Sequence, residues 1–308
     1  MHFVESGAVH APGLVGCMGV LWKEEEMMQY RTDLAVESLA AVKSREGIEE
    51  HRRGTCFSIT EVHIRDDAAG KPLGKTKGRY ITLEGQALSR FSDATEDMAL
   101  ELAAEIRPLL PAHGCVLVAG LGNADITPDA LGPRTISRIL ATRHLQKELA
   151  QEDEFLQNLR PVAALAGGVL GQTGIESAEL ILAAARHITP AAVIAVDALA
   201  CSSLERLGTT IQLSDTGIAP GSGVANHRTA LNVESFGIPV IGIGVPTVIG
   251  MRTIAEDLTG HRPLPFREEM MVTPRDVDRL VTQAAHLIAC GINLALQPAL
   301  KYADVAAI

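Results

Sequence analysis

The chain has 308 residues, 47% of them hydrophobic, with a formal net charge of −10. That length and hydrophobicity provide a sizeable core and exclude a disordered chain. The acidic balance excludes a nucleic-acid binder that works through a basic face.

Residues 1–33 lack strong periodicity and read as an N-terminal extension. Ala11 to Trp22 resembles a short signal-peptide core, but nothing basic precedes it and Lys23-Glu24-Glu25-Glu26 follows, so a removable extension is favoured over a secretion signal. Met18, Met27 and Met28 leave room for a later start site. No run reaches the roughly 18 apolar residues of a spanning helix, so no membrane is expected as partner. From Leu34 to about His51 the apolar positions Leu34, Val36, Leu39 and Val42 predict an amphipathic helix. Thr55–Ile64 and Arg79–Leu83 predict strands joined by a polar link. Asp93 and Glu96 form a capping-box pattern ahead of a helix that carries Met98, Leu102, Ile106 and Leu109 and ends near Pro111.

Next comes Cys115 to Pro133, reading CVLVAGLGNADITPDALGP. Cys115–Ala119 predicts a buried strand. Gly120, Gly122 and Asn123 permit a tight turn, Thr127 can cap a helix, and Pro128 suits a first helical position. Asp129 then falls just past the carboxyl end of a strand, where open α/β sheets hold their ligands. A plain helix-capping role for Asp129 stays open. Arg134 to about Ala150 is predicted helical, and Pro161–Val169 strand or loop. Thr173 to Glu176 is a second capping-box pattern before a helix that stops ahead of Pro190. Ala192–Val196 predicts a strand that delivers Asp197, Thr209–Leu213 a short strand, and Pro220–Val224 a loop. Pro239–Gly244 predicts a buried strand closed by Val245-Pro246-Thr247, and Thr273-Pro274 the start of a last long helix through about Ala289. Alternating helices and short buried strands imply an α/β fold with a mostly parallel central sheet flanked by helices.

Asp129 and Asp197 are the sharpest pair. Each follows a predicted strand, and neighbouring strands lie about 4.8 Å apart, so the two carboxylates could meet. A touching pair shares a proton; the ionised member can deprotonate water while the protonated one polarises a carbonyl. Two unrelated caps or surface acids are the alternative. Asp215-Thr216-Gly217 spells the triplet of pepsin-like proteases, but one copy in an α/β pattern suits a turn better. Gly221-Ser222-Gly223 is no GxSxG elbow and reads as a backbone loop lining a substrate groove. Five scattered cysteines without a CxxC suggest reduced thiols in a cytosol, and Cys201 reads as a small core residue. Ten histidines include no HExxH, and Gly120-Leu121-Gly122 lacks the third glycine of a dinucleotide fingerprint, so no metal or cofactor is expected.

RTDLAVE (31–37), GLGN…TPDALGP (120–133), TRHL (142–145), GQTGIE (171–176), VDALA (196–200), TIQLSDTGIAPGSGVANHR (210–228) and IPVIGIGVPTV (238–248) together resemble the germination protease family of spore-forming bacteria. The resemblance implies an atypical aspartic endopeptidase of phosphorylase/hydrolase-like fold, unrelated to pepsin. It implies Asp129 and Asp197 as the catalytic pair, and small acid-soluble DNA-coating spore proteins as substrates. It implies a homotetramer in the cytoplasm of the forespore and spore core, made as an inactive precursor. Gly221, Ser222, Gly223 and Asn226 are expected at the substrate. Thr32 to Glu37 has the order of residues that the family cuts, so self-processing is expected between Asp33 and Leu34, with residues 1–33 as pro-segment and 34–308 as catalytic domain. The chain departs from the family pattern at Ser202, where Arg is expected, and at Gly168, where Pro is common. Two rivals remain at this point: a nickel-recognising peptidase like those that mature hydrogenases, which shares the GxGN turn, and a non-catalytic α/β binding module.

Overall fold

A computed structural model describes residues 32–42, 44–90, 92–145, 154–219, 229–260 and 270–308. It is an α/β fold built on one nine-stranded sheet. The strands are β1 (Ile48–Arg53), β2 (Ser58–Ile64), β3 (Gly78–Glu84), β4 (Val116–Gly120), β5 (Val162–Ala166), β6 (Ala192–Cys201), β7 (Thr210–Ser214), β8 (Val240–Gly250) and β9 (Met271–Val272). Their order is β1-β2-β3-β7-β8-β6-β4-β5, with β9 beside β8. The sheet is mixed rather than mostly parallel. Strands β8, β6, β4 and β5 are parallel, whereas the pairs from β1 through β7 to β8, and β8 with β9, are antiparallel.

The parallel half follows from its sequence. β4 reads Val-Leu-Val-Ala-Gly and is buried throughout. Strands covered on both faces are apolar at consecutive positions rather than alternate ones. On one face of β6, Ile194 and Val196 join the main core beneath helices α2 (Thr95–Ile106) and α5 (Val277–Leu296). On the other face, Val193 and Ala195 pack with Leu117, Ala119 and Ile181 beneath α4 (Ser177–Ile188). Asp197 and Leu199 continue that second row. The shorter helix α1 (Ala35–Ala41) packs on β2 and β3, and α3 (Leu131–Ile136) packs on β4, β5, β6 and α5. Helix α5 is the one described helix long and apolar enough to cross a membrane, but 78% of that window is buried inside the fold. It is the core helix of the sheet's first face.

Several expectations need correction. The helix expected from Leu34 to His51 ends at Ala41, and Ile48–Arg53 is instead the edge strand β1. Gly47, at φ +73°, breaks the pattern, and β1 is held by its ladder to β2 rather than by apolar periodicity. Neither capping box forms: Ser92 accepts from Ala94 N ahead of α2, and Thr173 accepts from Ile175 N ahead of α4. The helix expected over Arg134–Ala150 starts at Leu131 and ends at Ile136, turns follow to Leu145, and the remainder lies outside the described residues. The last helix begins at Val277 and runs on to Leu296. Strands β6 and β8 extend to Cys201 and Gly250, well past their expected ends.

Candidate active site

The Asp129 carboxylate is positioned by the loop that leaves β4. Gly122 stands at φ +103°, and a Cβ there would lie 2.0 Å from Asp129 O, so only glycine lets the chain pass. The next amide, Asn123 N, donates to Asp129 Oδ2 at 2.7 Å. Thr127–Asp129 is a single 3-10 turn leading into α3. The expected cap does not form, because Thr127 Oγ1 donates to Asp278 Oδ1 of α5 instead. From the other side, Thr247 Oγ1 of β8 donates to Pro128 O at 2.7 Å. Asp129 is thus half-buried, held between the β4 loop and β8.

Asp197 lies in the middle of β6, 5% exposed, in register with Gly244 of β8. Its Oδ1 accepts from Ala198 N at 2.9 Å. The chain leaving β4 is bound to β6 one residue earlier, through Leu121 N to Val196 O at 2.8 Å. At the start of α3, Gly132 packs into the same corner: a Cβ there would stand 2.6 Å from Val196 O. The turn bearing Asp129 packs against β6 and β8. Asp129 therefore stands on the turn that follows β4, packed against β6, which runs on through Asp197 where its pairing with β4 ends.

The segment Thr32–Glu37 is docked along the far end of β6. Asp33 N donates to Ala200 O at 3.0 Å, and Ala200 N donates to Asp33 Oδ2 at 2.8 Å. Lys75 Nζ donates to Asp33 O at 2.8 Å. Burial pushes the Lys75 amine below its usual range, and the charges of Asp33 and Glu37 pull it back. Leu34 is fully buried with Leu199, Cys201 and Ile249. Glu37, 6% exposed, accepts from Thr32 Oγ1, from Ser202 N at 2.7 Å, from Ser202 Oγ at 2.8 Å and from Ser203 N at 3.0 Å. Arg206 stands 3.7 Å from it. Ser202 and Arg206 together thus serve a buried carboxylate where the family pattern led us to expect an arginine at 202. Ala200 is three residues beyond Asp197, so Asp33 is docked roughly 10 Å along the strand from that acid.

Beside this segment is a cavity of ≈ 220 Å³, lined by Asp33, Lys75, Leu199, Gln212, Thr216 and Gly244 among others. Gln212 Oε1 accepts from Ala35 N at 3.3 Å, which ties α1 to the sheet face that carries Asp197. Asp215 Oδ1 accepts from Arg79 N at 2.8 Å, so the Asp-Thr-Gly triplet is a turn built onto β3. Cys201 is buried, and burial pushes its thiol up to about 12, which leaves no nucleophilic thiolate. Among the described residues, no three His, Cys, Asp or Glu side chains are grouped to hold a metal ion. Gly221, Ser222, Gly223 and Asn226 lie outside the described residues.

Sequence reading missed Asn123 N and Lys75, and placed Thr247 at the site only as part of the Gly244–Thr247 segment at a strand end. The Gly-rich turn signals the first only in retrospect, since any residue supplies an amide. Thr247 follows a predicted strand in Val-Pro-Thr, and Lys75 sits in a polar link with no pattern of its own.

A mixed α/β sheet with one acid inside a central strand and another on a turn packed against it is an arrangement suited to hydrolysis, and sequence comparison gives the class. A sequence model described as germination protease matches residues 23–261. The germination protease of Caldanaerobacter subterraneus subsp. tengcongensis is 43% identical over 311 residues, covering 88% of this chain and 95% of its own. That of Clostridium tetani is 39% identical over 321 residues, covering 90% and 98%. A solved [NiFe] hydrogenase maturation protease HycI from Thermococcus kodakarensis KOD1 aligns with TM-score 0.36 at 17% identity, over 61% of this chain and 99% of that one. The protein is a protease. It belongs to the germination protease family.

Proposed function

We propose that the protein is an atypical aspartic endopeptidase that starts the breakdown of small acid-soluble DNA-coating proteins during spore germination. Asp129 and Asp197 are its catalytic pair. The observation that carries this reading is that β4 stops pairing with β6 just before Asp197, with Leu121 N bonded to Val196 O, and that the turn bearing Asp129 packs against β6 there. Asp129, half-buried and accepting from Asn123 N–H, is the ionised partner that takes a proton from the attacking water. Asp197, deeper in the sheet, carries the shared proton toward the scissile carbonyl. The proton then passes to the leaving amine.

The chain is made as a zymogen, acts as a homotetramer in the forespore and spore core, and processes itself between Asp33 and Leu34. The docking of Thr32–Glu37 on the sheet face that carries Asp197 supports a pro-segment beside the site. The bond to be cut is protected where it lies. Thr32 Oγ1 accepts from Leu34 N, the Asp33 carboxylate is bound to β6, and Leu34 is buried. The Asp33–Leu34 bond must therefore leave this position before it is cut. Incubating purified protein with spore DNA-coat proteins and mapping the products tests the reading. Cleavage within a short segment bearing an acidic residue before the cut is expected; an intact coat protein after full maturation contradicts it.

A further inference from the structure

The pairing of β6 with β8 contains one irregularity. Leu199 pairs with Pro246 and Ala200 pairs with Val248, so Thr247 has no partner on β6. It is the extra residue of a bulge in a parallel pair, an uncommon place for one. Bulges interrupt the alternation of side chains and re-aim the extra residue. Thr247 is 1% exposed, and its hydroxyl reaches out of the sheet to donate to Pro128 O at 2.7 Å. Pro128 is the middle residue of the turn that ends in Asp129. The turn is also tied by Asn123 N, which donates to Asp129 Oδ2, and by Thr127 Oγ1, which donates to Asp278 Oδ1 of α5. β8 meanwhile pairs Gly244 with Asp197. One strand thus holds both the backbone beside one acid and the turn that carries the other.

We propose that Thr247 is a positioning residue for peptide hydrolysis. Its hydroxyl, aimed by the β8 bulge, fixes the Pro128–Asp129 peptide and so sets the Asp129 carboxyl against Asp197. The inference rests on reading those two acids as the catalytic pair. Proton transfer and attack tolerate little misplacement, about 1 Å being worth on the order of 10²-fold in rate. A carbonyl that loses this side-chain donor moves to find another or stays unpaired, and both shift the turn.

The test uses the full chain with Thr247→Val, which keeps the shape and removes the donor, and Thr247→Ser, which keeps the donor. On coat-protein substrate, kcat of the Val variant is expected to fall roughly 10- to 100-fold, with KM changed by less than about twofold, and Ser is expected to restore most of kcat. Crystal structures should show the 127–129 turn displaced from Asp197 in the Val variant and in place in the Ser variant. Unchanged kcat with Val, failure of Ser to restore a lost kcat, or an unmoved turn overturns the proposal. If the Val variant does not fold, Thr247→Ala takes its place, since it removes the donor without burying a second methyl. Should Asp129→Asn retain turnover, the catalytic reading fails by itself, while the crystal comparison still decides whether Thr247 holds the turn.

Discussion

Leu121 N donates to Val196 O at 2.8 Å, which carries the β4–β6 ladder one residue past the end of β4 and up to the residue before Asp197. The chain can turn back toward β6 there because Gly122 takes a left-handed conformation. The position of Asp129 follows from that turn.

Gly122→Ala is expected to damage both stability and activity. A side chain at φ +103° is strained, and its Cβ would fall 2.0 Å from Asp129 O. The cost should be at least ~2 kcal/mol, since conformational strain alone amounts to about 1–3 kcal/mol. Denaturant unfolding measures it. Wild-type stability together with wild-type turnover would show that the turn is not held as described.

Lys75→Met is expected to loosen the docked segment. The variant loses the bond to Asp33 O and the charge facing Asp33 and Glu37. Hydrogen exchange at Leu34 and Ala200 should speed up by ~5-fold or more, the loss of about 1 kcal/mol from one charged hydrogen bond. Cleavage between Asp33 and Leu34 should speed up with it. Unaltered exchange at both amides would mean that Lys75 does not hold the segment.

Acid should release the loop before β2. Glu101 accepts from Thr55 N at 2.6 Å, Cys56 N at 2.8 Å and Phe57 N at 3.0 Å. Burial raises the pKa of its carboxyl, but these backbone amides outweigh that and hold it below the usual range. A depressed folded-state value contributes stability that is present above the unfolded carboxylate range and lost as pH falls through the folded value. Glu101→Gln should therefore lower Tm at pH 7 and make less difference at pH 3. Equal losses at both pH values would mean that the charge is not involved.

Maturation should leave Leu34 as the first residue. N-terminal sequencing of matured protein checks this, and an Asp129→Asn chain should stay uncut unless active enzyme is added. A variant that matures alone would refute self-cleavage.

Strand β4 and the first half of β6 were legible because they are apolar and buried on both faces. Val116–Gly120 and Ala192–Val196 need no partner to be recognised, and an acid follows each. The antiparallel edge was not. Ile48–Arg53 reads Ile-Glu-Glu-His-Arg-Arg, and its strand conformation comes from pairing with β2, which local sequence does not encode. The extension of β6 to Cys201 was hidden for a similar reason: Asp197 looks like a strand stop, yet lies within a strand that goes on pairing with β8. The acids themselves were readable as types at positions. Their supports, a backbone amide at Asn123 and a hydroxyl at Thr247, exist only once the strands are assembled.

The most direct measurement is turnover of a spore DNA-coat protein by Asp129→Asn and Asp197→Asn chains, each supplied in matured form and checked for native unfolding behaviour. Asn keeps the shape and removes the proton exchange. The account predicts a loss of about 10²–10⁴-fold or more in kcat for each, with folding intact. Near-normal kcat in either well-folded variant would contradict it.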